Sequence, residues 1–135
     1  MNRRKAREQA FIIGFERSIN QDTVMAIIDN AETCEEIHID EFAEELASGV
    51  EQNEVSLDGV IKKYIKSWTM SRLSKVSLSI LRLALYEMQF MPDIPVSVSI
   101  NEAVNLAKKY GGSQDAPFVN GVLGSAAKEL GEKNA

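Results

Sequence analysis

Apolar positions along this chain recur with the 3.6-residue period of amphipathic helices, and no segment holds the two-residue alternation of a half-buried strand. From Arg3 to Arg17, Ala6, Ala10, Ile13 and Gly14 share one face, with Phe11 and Phe15 beside them. Asp22 is placed to cap a second helix through Ala31, burying Val24, Met25, Ile27 and Ile28. Glu32 to Ile39 reads as a connection. Asp40 is placed to cap a third helix whose inner stripe is Phe42, Leu46 and Val50, with Glu41, Glu44, Glu45 and Glu51 outside. Asn53 or Ser56 opens a fourth, with Leu57, Val60, Ile61, Tyr64, Ile65 and Trp68 inward and Lys62, Lys63 and Lys66 outward.

The stretch from Arg72 to Met91 differs from these. Leu78, Ile80, Leu81, Leu83, Ala84, Leu85, Tyr86 and Met88 put apolar groups on every side of a helix, which predicts a central element packed on several faces. Arg82 and Glu87 interrupt the run, and it is too short to span a membrane. Pro92 ends it. After a rigid connector, Ser99 and Glu102 match a capping box, with Val98 and Ala103 as its hydrophobic staple, and Gly111 is expected as a left-handed stop. Asp115 begins a last helix with Phe118, Val119, Val122, Leu123, Ala126, Ala127 and Leu130 available to pack. The fold class is therefore all-α: a compact bundle of about seven helices in one domain, residues 1–135.

Charge changes this picture at one end. The net charge is −5, yet Arg3, Arg4, Lys5 and Arg7 place +4 in the first seven residues, leaving 11 basic and 20 acidic side chains, or −9, in the rest. Cations in the first turns of a helix oppose its macrodipole at about 0.3–1 kcal/mol each. Helix stability does not ask for them there, so an anionic ligand or a frayed arm is the better account. The start has no apolar signal core, so the expected location is cytoplasmic.

Chemistry for catalysis is sparse. His38 and Cys34, four positions apart in a connection, have no visible orienting partner for a thiol–imidazole pair. One cysteine excludes an internal disulfide framework and a cysteine-based zinc site. Lys108 to Ser113, KKYGGS, lacks the order and strand context of a phosphate-binding loop, and the Glu-rich segments lack calcium-loop spacing. The expectation is a binding protein with no enzymatic activity, cofactor or metal.

Four segments in order carry a family resemblance: RRKAREQAF, VSLSILRLALYEM, IPVSVSINEAVNLAKKYGG and FVNGVLGSAAKEL. Together they resemble the NusB transcription antitermination family over nearly the whole chain, with residues 21–53 the least characterised. The resemblance implies two packed three-helix groups plus a short extra helix. It implies an adaptor that binds boxA, a single-stranded element of nascent ribosomal RNA transcripts, with the ribosomal protein NusE. That pair joins the antitermination complex on RNA polymerase. By motif match, Arg3, Arg4, Lys5, Arg7, Phe118 and Asn120 would meet RNA. An exposed side of the central helix near Val76, Ser77 and Ile80 would meet NusE. Four phosphate contacts would give a log–log salt slope of about −2.8. Pro117 stands where relatives often carry a basic residue, and Ser77 where they carry an acidic one, which implies weaker RNA binding and a less polar NusE contact. For Phe118 a core position remains the alternative to base stacking, and for Asn120 a cap or core hydrogen bond. Two further readings stay open: an accessory RNA-binding module in ribosomal RNA maturation, and a homodimer that masks the RNA site.

Overall fold

A computed structural model describes residues 2–65 and 69–130. The expectations for Lys66, Trp68 and the last five residues fall outside that range. Among the described residues the chain forms seven α-helices and one 3₁₀ turn, without strands. They are α1 (Arg3–Asn20), α2 (Val24–Thr33), α3 (Glu41–Gln52), α4 (Glu54–Tyr64), the 3₁₀ turn (Met70–Arg72), α5 (Lys75–Phe90), α6 (Val96–Tyr110) and α7 (Asp115–Leu130). Helices α1, α2 and α3 pack on one another, as do α5, α6 and α7, while α4 bridges α3, α5 and α7.

α5 is the central helix that its all-round apolarity predicted. It touches α1, α3, α4, α6 and α7. Ile80, Leu81, Leu85 and Met88 are fully buried, each such side chain stabilising the fold by roughly 1.5–3 kcal/mol. Its polar interruptions are anchor points. Arg82 makes a bidentate pair with Asp58 of α4, both bonds 2.8 Å, and Glu87 is 2% exposed. The helix starts later than expected, at Lys75, where the Ser74 side chain accepts the Ser77 N–H.

Four local expectations are corrected. Thr23, not Asp22, caps α2, accepting from the Ala26 N–H at 3.1 Å, and Met25 points outward at 59% exposure. α6 begins at Val96 after Pro95, so Ser99 and Glu102 lie inside the helix and form no capping box. Ser99 instead shares the buried face with Ala103, Leu106 and Ala107, the 99, 103, 106, 107 spacing of one helical stripe. That stripe outweighs the local capping preference. Gly111 ends α6 in an extended conformation, φ −100° and ψ −177°. Glycine is needed there for space, because a Cβ would come within 2.8 Å of the Ala107 carbonyl oxygen and of Asp115. The left-handed helix stop occurs at Gln21, φ 62°, after α1. The Asp40 cap on α3 is as expected, its side chain accepting from Phe42 N–H at 3.0 Å.

Candidate nucleic-acid interface

α1 opens with its N-cap Asn2, whose side chain accepts the Lys5 N–H at 2.9 Å. The buried seam of α1 runs through Ala6, Ala10, Phe11 and Ile13, and this phase sorts the four cations. Arg3, Arg4 and Lys5 precede the seam and are exposed. The Arg3 guanidinium lies 4.3 Å from the centre of the Phe42 ring, a cation–π contact that leaves the charge accessible. Arg4 donates to Glu102 at 3.2 Å, but its side chain is 76% exposed, so this pair holds it weakly.

Arg7 falls on the seam, three residues before Ala10, and goes inward. It is 5% exposed, which corrects the expectation that it lies at the surface with the other three. Its Nε donates to Glu87 of α5 at 2.8 Å, and its Nη1 reaches Glu102 of α6 at 3.5 Å. The Ser99 hydroxyl donates to the other Glu87 oxygen at 3.0 Å. Arg7 thereby ties the start of α1 to α5 and α6 through charges that have left water. Removing one partner of such a pair costs about 3–5 kcal/mol, because the other is left buried and uncompensated. Sequence reasoning finds neither Glu87 nor Glu102 as a partner of Arg7, nor Ser99 as a partner of Glu87. The signal for Glu87 was present as an ionisable group inside an apolar helix, a placement almost always paired.

At the other pole, α5 and α7 meet through Asp115. Its Oδ1 accepts from the Ser77 hydroxyl at 2.6 Å and the Ser74 hydroxyl at 2.8 Å, and its Oδ2 accepts the Gly112 N–H at 2.7 Å. Partial burial pushes this carboxyl up, but bonds from Ser77, the Gly112 N–H and Ser74 outweigh it and hold the pKa below the usual aspartate value. Ser77 is 1% exposed and Ile80 fully buried, with Val76 half-buried. The expectation that these three form an exposed face is corrected: Ser77 is turned onto Asp115 of α7, Ile80 is buried on the side of Arg7 and α6, and only Val76 retains surface. Phe118 is half-buried, packed against the core, and lines a cavity of about 650 Å³ with Arg72, Leu73, Gln114 and Pro117. Pro117 fits because it occupies the first turn of α7, where no intrahelical donor is missed. Asn120 is exposed and lines a second groove, between α6 and α7.

The two poles share α6. Glu102 and Lys109 face α1, holding Arg4 and Glu8, while the preceding residues Asn101 and Lys108 face the α7 groove. No group of three or more histidine, cysteine or acidic side chains suited to a metal occurs among the described residues. No described helix is long and apolar enough to cross a membrane.

The described residues thus form an all-α bundle whose first helix offers three exposed cations, one of them over the half-buried Phe42 ring. The sequence model of the NusB family matches residues 4–128, and the chain belongs to that family. It is 42% identical to the transcription antitermination protein NusB of Clostridium botulinum (strain Loch Maree / Type A3), over 92% of this chain and 98% of that one. The fold is similar to T. maritima NusB, with a TM-score of 0.86 and 33% identity over 99% of this chain and 96% of that chain. A chain in the crystal structure of antitermination factors NusB and NusE in complex with dsRNA gives a TM-score of 0.83 at 25% identity, covering 93% and 96%.

Proposed function

We propose that the protein is a transcription antitermination factor that binds single-stranded boxA RNA of nascent ribosomal transcripts together with NusE, and so joins the RNA polymerase antitermination complex. One observation carries the reading: Arg3, Arg4 and Lys5 are exposed in a helix turn where the macrodipole disfavours them. A polyanion supplies the reason for their placement. Single strands are held by cations on phosphates and aromatic rings under splayed bases, and Phe118 supplies the ring. Arg7 contributes by fixing the start of α1 against α5 and α6, so the three outer cations are presented from a rigid base. The relative solved with NusE and dsRNA supports the choice of partners. The NusE contact centres on Val76, the member of its trio that keeps surface.

Calorimetric titration with purified NusE, with and without a boxA oligomer, tests this. A ternary complex tighter than either binary one is expected. Absence of binding to both partners overturns the proposal.

A further inference from the structure

The groove between α6 and α7 has about 600 Å³ of open volume and is unusual for so acidic a chain. The protein carries 20 carboxylate side chains against 15 Lys and Arg, yet none of the groove's lining residues is acidic, and its one charge is Lys108. The adjacent carboxylate, Asp115, is turned onto Ser74, Ser77 and the Gly112 N–H, on the side of the Phe118 cavity.

The lining follows from helical phase. Asn101, Val104 and Lys108 are spaced three and four apart on one face of α6, and Pro117 and Asn120 three apart on α7. The two helices pack on one another, with Ala107, Val119 and Leu123 buried. Two primary amides thus line an open groove without carboxylates, with an apolar floor at Val104 and a cation at one end. Each amide offers both a donor and an acceptor, the complement of a nucleobase edge. Pro117 also lines the Phe118 cavity, so the two recesses are neighbours across one residue. On its other side α6 holds Arg4 through Glu102.

Resting on the RNA reading above, we propose that this groove is a nucleobase subsite: Asn101 and Asn120 read the edge of one unstacked base, and Lys108 takes a flanking phosphate. The strand then runs from the α1 cations over the exposed face of α6, into the groove and on to Phe118.

Fluorescence anisotropy with a labelled boxA oligomer tests this on the full chain, using Asn101→Ala, Asn120→Ala, Lys108→Gln and an oligomer series with one abasic position each. Either asparagine variant is expected to weaken binding roughly 5- to 150-fold, the range of a lost base-edge pair. Lys108→Gln should make the log–log salt slope shallower by about 0.7, one single-strand phosphate. One abasic position should weaken binding to the native protein but not further weaken Asn101→Ala. All three side chains are exposed, and Lys108→Gln keeps the test available if an asparagine variant melts early. Native-like RNA binding by all three variants, with binding lost on replacing Arg3, Arg4 and Lys5 by Gln, overturns the subsite and leaves the RNA reading standing. Loss of NusE affinity alone overturns it too, marking the groove as a protein contact. A native chain that binds no boxA RNA overturns both.

Discussion

The outer and the inner arginines of α1 carry the same charge and do different work. Arg3 and Arg4 project from the first turn, one over the Phe42 ring and one to Glu102 Oε1, the oxygen that Arg7 also reaches from inside. Arg7 and Arg17 are drawn into the fold. Arg7 meets Glu87 and Glu102, and Arg17 meets Glu54 at 2.8 Å and Glu51 at 3.5 Å, beside the Arg82–Asp58 pair. The inner pairs join residues of different helices, so they fix how α1 lies on α3, α4, α5 and α6. The outer cations join little and can exchange their partners for a phosphate. What separates a structural arginine from a binding one here is burial: the Arg4 side chain is 76% exposed, although its counter-charge is as distant in sequence as that of Arg7.

The sharpest break in that comparison is Arg7→Ala. It leaves Glu87 buried without its cation, and an unfolding stability loss of about 3–5 kcal/mol is expected in urea titration. A loss below about 1 kcal/mol would mean that Glu87 finds other partners and the clamp is not needed. Next comes Phe118→Ala. A half-buried ring packed on the core should cost less stability than the roughly 3–5 kcal/mol of a fully buried one, and about 1–3 kcal/mol of RNA binding besides. A melt and an RNA titration at low temperature separate the two losses. Normal RNA affinity of the folded fraction would assign the ring to the core alone.

Asp115→Asn probes the α5–α7 pole through pH. The carboxyl is depressed in the folded state, so its contribution is fully present above the ordinary aspartate range and is lost as pH falls through the folded value. The difference in melting temperature between native and Asp115→Asn should therefore shrink as pH drops from about 6 to about 3. A difference independent of pH would remove the charge from the account. The smallest effect belongs to Arg4→Gln. An exposed pair of this kind is worth about 0–1 kcal/mol, so the melt should barely move. A clear destabilisation would place Arg4 with the structural arginines.

Much of this was legible in the sequence because helical phase is local. The seven helices, the central position of α5, the Asp40 cap and the exposed Arg3, Arg4 and Lys5 follow from spacing along the chain. The failures at Ser99, Ser77 and Arg7 share one cause. Ser99 and Glu102 satisfy a capping pattern, and only the tertiary stripe with Ala103, Leu106 and Ala107 shows that they belong inside α6. Ser77 looks like a polar surface residue until Asp115, 38 positions away, is seen to accept its hydroxyl. By spacing along the chain Arg7 goes with Arg3, Arg4 and Lys5, because its partner Glu87 lies 80 positions on. Pairings at that range leave no periodic trace. Glu87, the one acidic group inside the apolar run of α5, is the local hint.

The central claim is that three of the four cations at the start of α1, Arg3, Arg4 and Lys5, hold the RNA backbone, while Arg7 does not. The direct measurement is boxA affinity as a function of salt for the native chain and for the variant with Arg3, Arg4 and Lys5 all replaced by Gln. Each single-strand phosphate contact contributes about 0.7 to the log–log slope, so the variant's slope should be shallower by about 2.1, with its melt unchanged. Equal slopes and equal affinities for the two proteins would contradict the account.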